Sequence, residues 1–161
     1  MPSSAQAAHL PAISSRERKE IGRQLQATLV ELIDLALLGK QLHWSIVGAH
    51  FRTLHPQLDE LVDSWRELSD TVAERAVAMG FAVDGQSATV AGSVNAVGTG
   101  PLEDHVVVRE LTTRLAEVAE RVRERMGRLG ELDAASQDVI IEVLRALEQQ
   151  LWMVRVQLSA R

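Results

Sequence analysis

Apolar residues recur along this chain at intervals of three and four, the spacing that lines one face of an α-helix. Ile21, Leu25, Leu29, Leu32, Ala36 and Leu37 carry the first run. Ser14-Ser15-Arg16-Glu17 precedes it, with Glu17 three residues after Ser14 as in a capping box. This helix is expected to reach about Trp44, where Ile46-Val47-Gly48 stops it. A second helix begins near Phe51, and Leu54, Leu58, Leu61, Val62, Trp65, Leu68, Val72 and Ala76 carry it to Gly80. Residues 81–102 are rich in Gly, Ser, Thr and Val, a long connection predicted to hold a short helix near Ser87 to Gly92. Pro101, Glu103 and Asp104 announce a third helix, the acids suiting its positive end. Val107, Leu111, Leu115, Val118 and Val122 extend it to about Arg128. Asp133 can cap a fourth, through Ile140, Val143, Leu147, Leu151 and Val154. No convincing strand pair remains. The expected fold is therefore all-α: a four-helix bundle over residues 14–161, with its long crossover between helices two and three. Residues 1–13, small, polar and proline-containing, read as a flexible N-terminal arm.

Composition narrows the chemistry. With 161 residues, 46% hydrophobic and 24% charged, the chain has the makings of one globular domain with its own core. It has no cysteine, which removes disulfides, thiolate metal sites and cysteine nucleophiles, and no tyrosine, which removes phenol general acids. Nothing in the sequence resembles a secretory signal or a membrane span, so the expected location is cytoplasmic, with nucleoid association left open. The net charge is −5. A protein that grips a polyanion through its general surface is basic, so nucleic-acid binding would have to come from a local patch.

The histidines change the picture. Three of the five, His43, His50 and His55, fall within thirteen positions at the junction of the first two helices. At about 100° per residue, His55, Asp59, Asp70 and Glu74 share roughly one 100° sector of the second helix. Imidazoles and carboxylates on one line suit a hard or borderline ion such as iron. Yet His55 and Glu74 lie about 28 Å apart along a straight helix, which no ion spans. Either these are unrelated surface charges, or two copies of the helix run antiparallel about a two-fold axis. In the second case His55 and Asp59 of one chain meet Asp70 and Glu74 of the other, and two identical sites form at once. His43 could join them.

Lys40-x-x-His43-Trp44-x-x-Val47-Gly48-x-x-Phe51-x-x-Leu54-His55-x-x-Leu58-Asp59, followed by Asp70-x-x-Ala73-Glu74-Arg75, resembles the signature of the Dps family, the ferritin-like mini-ferritins. The likeness spans about residues 16–158 and is most specific over 40–75. It implies a hollow homo-dodecamer with ferroxidase centres at its two-fold interfaces. His43, His55 and Asp59 would come from one subunit, and Asp70 and Glu74 from its partner. Such a centre oxidises Fe(II) with hydrogen peroxide, or more slowly with dioxygen, and the ferric product is stored as mineral in the shell, which protects against oxidative stress. The carboxylates would offset cationic charge, and the neutral imidazoles would add directed ligands. Trp44 resembles the family's site tryptophan, while Lys40 and Arg75 read as ion-pair partners that orient the region.

Other residues read more plainly. His50 and His105 lie off the signature, and His9 on the arm is a solitary imidazole, weak as an accessory site. Trp65 and Trp152 fit core or interface positions. Glu131, Asp133, Asp138 and Glu142 resemble the family's acidic three-fold pore, Asp133 and Asp138 above all; capping and dipole pairing are the plainer roles. Pro56 follows His55 directly and should kink or loosen the first turns of its helix, since it cannot donate to Arg52. The family's other activity, DNA binding, is expected to be weak or absent. No Lys or Arg precedes Arg16, and Arg16, Arg18 and Lys19 alternate with Glu17 and Glu20. The alternative is a nucleoid-protecting DNA binder whose metal site is secondary. A purely structural bundle leaves the ordered ligand set unexplained.

Overall fold

The computed structural model describes residues 9–91 and 96–159. Four long helices and one short one appear in the expected order: α1 (Ser15–Ser45), α2 (Phe51–Ala78), α3 (Ser87–Ala91), α4 (Asp104–Gly130) and α5 (Ala134–Arg155), closed by a 3₁₀ turn over Val156–Ser159. α1 packs chiefly on α2 and α4 on α5, and weaker α1–α4 and α2–α5 contacts complete the bundle. The expected capping box is present. The Ser14 hydroxyl accepts from the Glu17 N–H while the Glu17 carboxylate accepts from the Ser14 N–H. At the far end, Asp133 caps α5 by accepting from the Ser136 N–H.

The core follows the apolar stripes. Ile21, Leu25 and Leu32 of α1 are fully buried, as are Leu115 of α4, Ile140 and Leu147 of α5 and Trp65 of α2. Trp65 sets the spacing of its neighbours. Gly39 lies opposite it, where a Cβ would stand 2.6 Å from Val62 and 2.8 Å from the indole, so the close approach of α1 and α2 needs a residue with no side chain. The indole N–H donates to Gln150 Oε1 at 2.8 Å, and the Gln150 amide donates to the Ser64 hydroxyl at 3.0 Å. Trp152, by contrast, is mostly exposed.

Two features differ from the pattern-based expectation. First, a parallel strand pair exists: β1 (Ile46–Val47) aligns with β2 (Leu102–Glu103). Two residues are too few for a period-two signal, and the partners lie on opposite sides of the crossover. Second, residues 9–13 of the expected arm are fastened to the bundle. Arg18 donates to the carbonyls of Pro11 and Ile13 at 3.0 and 2.9 Å, and Leu10 covers Gly80. The rest of that arm lies outside the described residues. α2 runs through Pro56, which stands at its sixth position. Among the described residues no helix is long and apolar enough to cross a membrane.

Candidate metal centre

His43 lies in the last turn of α1 and His55 in the second turn of α2, on either side of the short link that reverses the chain. The fold brings them face to face. Their rings stack at 3.6 Å between centroids with 25° between planes. His43 Nδ1 lies 2.9 Å from the carbonyl of His55, and His55 Nδ1 lies 3.1 Å from the carbonyl of His43. A carbonyl only accepts, so the neutral form that satisfies each bond carries its proton on Nδ1. Nε2 of each ring is left with the lone pair, the arrangement common in metal-binding histidines. Phe51 tilts against the outer face of His55, 4.7 Å between ring centroids.

Asp59 stands one turn beyond His55 and completes a cluster of three. Its Oδ1 is 3.3 Å from His43 Nδ1 and accepts from Lys40 Nζ at 2.6 Å. The Lys40 hydrogen bond holds the Asp59 carboxyl below its ordinary pKa against the opposing cost of desolvation, and both imidazoles add to the effect. Lys40 also sits 5.8 Å from the centroid of the Trp44 ring, which is 71% exposed. Lys40 is thus the ion-pair partner of Asp59.

Arg75 has its ion pair elsewhere in the single chain. It donates to Asp133 at 2.7 Å and to the Ser136 hydroxyl at 2.9 Å, tying α2 to the start of α5. Burial raises the pKa of Asp133, but the hydrogen bonds from Ser136 and Arg75 outweigh it and leave the group below its ordinary value. The candidate pore residue Asp133 is therefore engaged as a cap and ion-pair partner. Asp138, Glu131 and Glu142 are exposed.

Asp70 and Glu74 are exposed on α2, about 16 and 22 Å along the helix from Asp59, and the single chain does not bring them to the cluster. Among the described residues, no three His, Asp or Glu side chains of one chain surround a common point as metal ligands would. What the chain does bring together is His43, His55 and Asp59, two imidazoles and a carboxylate, a donor set of a kind suited to iron. One contributor escaped the sequence reading. Asp104, taken for a helix-dipole acid, is 7% exposed and accepts from both the backbone N–H and Nδ1 of His50, at 3.0 and 2.8 Å. It approaches from 54 positions away, which no local pattern signals.

The ferritin-like domain family matches residues 22–160. The chain is 31% identical over 148 residues to "DNA protection during starvation protein 2" of Deinococcus radiodurans, covering 91% of this chain and 61% of that relative's length. Structural likeness agrees: a solved structure of Mycobacterium smegmatis Dps superposes with a TM-score of 0.88 at 27% identity, over 92% of this chain and 91% of the other. The chain belongs to the Dps family of ferritin-like proteins. A differently named relative is also similar: a Haemophilus ducreyi protein called "Fine tangled pili major subunit" is 31% identical over 154 residues, 93% of this chain and 80% of its own length. The last residues of the crossover pair with the link between α1 and α2 at the start of α4, which is how Asp104 comes to touch the link between His43 and His55.

Proposed function

We propose that this Dps-family chain is the subunit of a ferroxidase and iron-storage shell, a homo-dodecamer with its oxidation sites at two-fold interfaces. The observation that carries this reading is the stacked pair of His43 and His55, each Nδ1 committed to a carbonyl so that each Nε2 keeps its lone pair, with Asp59 next to His43. Half a ligand set invites a second copy, whose Asp70 and Glu74 supply the missing carboxylates in a self-complementary pairing. Leu37 and Trp44, seven residues apart and so on one face of α1, are 59% and 71% exposed beside this half-site, an apolar surface that a second subunit would cover.

In this reading Fe(II) is the substrate. Two Fe(II) ions give one electron each to hydrogen peroxide, its O–O bond breaks, and both oxygens end at the oxidation level of water. The ferric ions hydrolyse, release protons and are stored as mineral. Carboxylates from Asp59, Asp70 and Glu74 favour the higher charge of Fe(III), while the imidazoles orient the ions without adding charge. Trp44 packs beside the site as its aromatic neighbour. Asp138, exposed on the first turns of α5, is the better of the two pore candidates because Asp133 is already engaged. The protein acts in the cytoplasm, with weak or no binding of DNA.

Anaerobic loading with Fe(II) followed by peroxide, monitored by ultraviolet absorbance, tests the proposal. Rapid oxidation to a soluble mineral, lost in His43→Ala/His55→Ala, is the expected result. Equal rates in wild type and variant would make the histidine pair structural and turn attention to the second reading. That reading, a DNA-protecting protein with a secondary metal site, is favoured by the names of the starvation-protection relatives.

A further inference from the structure

The link between the two histidine-bearing helices is fastened by a distant part of the chain. Ile46 and Val47 pair with Leu102 and Glu103, and the next residue, Asp104, is buried. Asp104 Oδ2 accepts both from the His50 backbone N–H and from His50 Nδ1. Those two bonds, the backbone one foremost, draw the Asp104 carboxyl below its ordinary pKa. Gly48 lies against the same oxygen. It holds φ at +118°, and a Cβ there would stand 2.9 Å from Asp104 Oδ2. A left-handed backbone and a buried carboxylate have been fitted to each other at one point of a five-residue link.

That link governs more than its own shape. His43 precedes it by three residues and His55 follows it by five. Each ring takes its orientation from the backbone of the other helix, through the bonds from His43 Nδ1 to the His55 carbonyl and from His55 Nδ1 to the His43 carbonyl. A shift of the first turns of α2 against the last turn of α1 would therefore move both rings and loosen both bonds together. We propose that Asp104 is a positioning residue for the imidazole pair: by clasping His50 and filling the space beside Gly48, it fixes the relation of the two helix ends and hence the aim of both Nε2 lone pairs. It touches neither histidine of the pair and no metal. The proposal rests on the ferroxidase reading of His43 and His55, and it adds a residue outside the ligand set.

Asp104→Ala and Asp104→Asn are compared with wild type and with His43→Ala/His55→Ala. Circular-dichroism melting and sedimentation establish folding and assembly. Anaerobic titration with cobalt(II) alone reads the site through its visible absorption, and steady-state oxidation separates KM for Fe(II) from kcat. In Asp104→Ala, cobalt affinity falls about ten-fold, the size of effect typical of groups that orient metal ligands. Its visible band changes, and KM rises more than kcat falls. Asp104→Asn keeps an oxygen acceptor in the same place and recovers most of the loss. An assembled Asp104→Ala with wild-type cobalt spectrum, affinity and KM would overturn the proposal, as would an assembled Asp104→Asn no better than Asp104→Ala. If Asp104→Ala does not assemble, His50→Ala, which removes the side-chain half of the clasp, must show the same changes to a smaller degree. Wild type that neither binds cobalt nor oxidises iron would remove the ferroxidase reading itself, and this proposal with it. Loss confined to the Asp104 variants leaves that reading standing.

Discussion

The two nitrogens of each site imidazole have different tasks, and the division is made by backbone atoms. Because Nδ1 of His43 and of His55 is used on a carbonyl, rotating either ring costs a hydrogen bond. The sequence marked these two residues as candidate ligands through their place in the family signature. It could not show the reciprocal bonds, since a backbone carbonyl is the same at every position and carries no residue identity. Trp65 illustrates the same limit in the core. Its apolar spacing marked it as buried, but nothing marked Gln150 as the acceptor of its indole N–H, 85 positions away. Gln150→Leu leaves that N–H unpaired in the interior and should cost about 1–3 kcal/mol. The urea midpoint at fixed subunit concentration measures it. An unchanged midpoint would mean that the indole N–H finds another acceptor.

At the level of elements, what was legible was what is local. Ser14 with Glu17, Phe51 as the start of α2 and Asp133 before α5 are signals that span a few residues, and each appears where the pattern put it. The β1–β2 pair, the fastening of residues 9–13 by Arg18 and the reach of Arg75 to Asp133 were invisible, because each depends on tertiary contact between short or irregular stretches. Asp133 has the richest of these roles, capping α5 and holding α2 to it at once. Its pKa in the folded protein lies below the ordinary 3.8. The stability it contributes is therefore complete above that unfolded value and fades as pH falls through the folded one. Asp133→Ala should be destabilised by about 1–2 kcal/mol at neutral pH. The gap from wild type should close in acid, as read from denaturant midpoints at a series of pH values. A gap that persists unchanged well below pH 3.8 would show that the aspartate stabilises through packing and not through its charge.

At the level of the whole molecule, charge and symmetry decide. The proposed dodecamer of chains at −5 would carry about −60, and one of the few basic groups before α1's first apolar residues, Arg18, is already spent on the carbonyls of Pro11 and Ile13. Plasmid DNA should migrate unretarded with the protein at moderate salt, and retardation at low protein excess would contradict this. Symmetry supports a sharper experiment. The single chain separates His43, His55 and Asp59 from Asp70 and Glu74 by several helical turns, so the five can act together only across two copies. His43→Ala/His55→Ala and Asp70→Asn/Glu74→Gln should each be inactive alone. In a mixed two-fold dimer, one interface site combines both defects, whereas the other receives intact histidines from one subunit and intact carboxylates from its partner. Random co-assembly of the two dead variants therefore restores about a quarter of the wild-type sites, half the dimers being mixed and each carrying one good site. Iron oxidation by the co-expressed pair at about that fraction would require a site shared between subunits. No recovery from well-assembled mixtures would mean that each chain carries its own site, and that Asp70 and Glu74 serve some other end of the molecule.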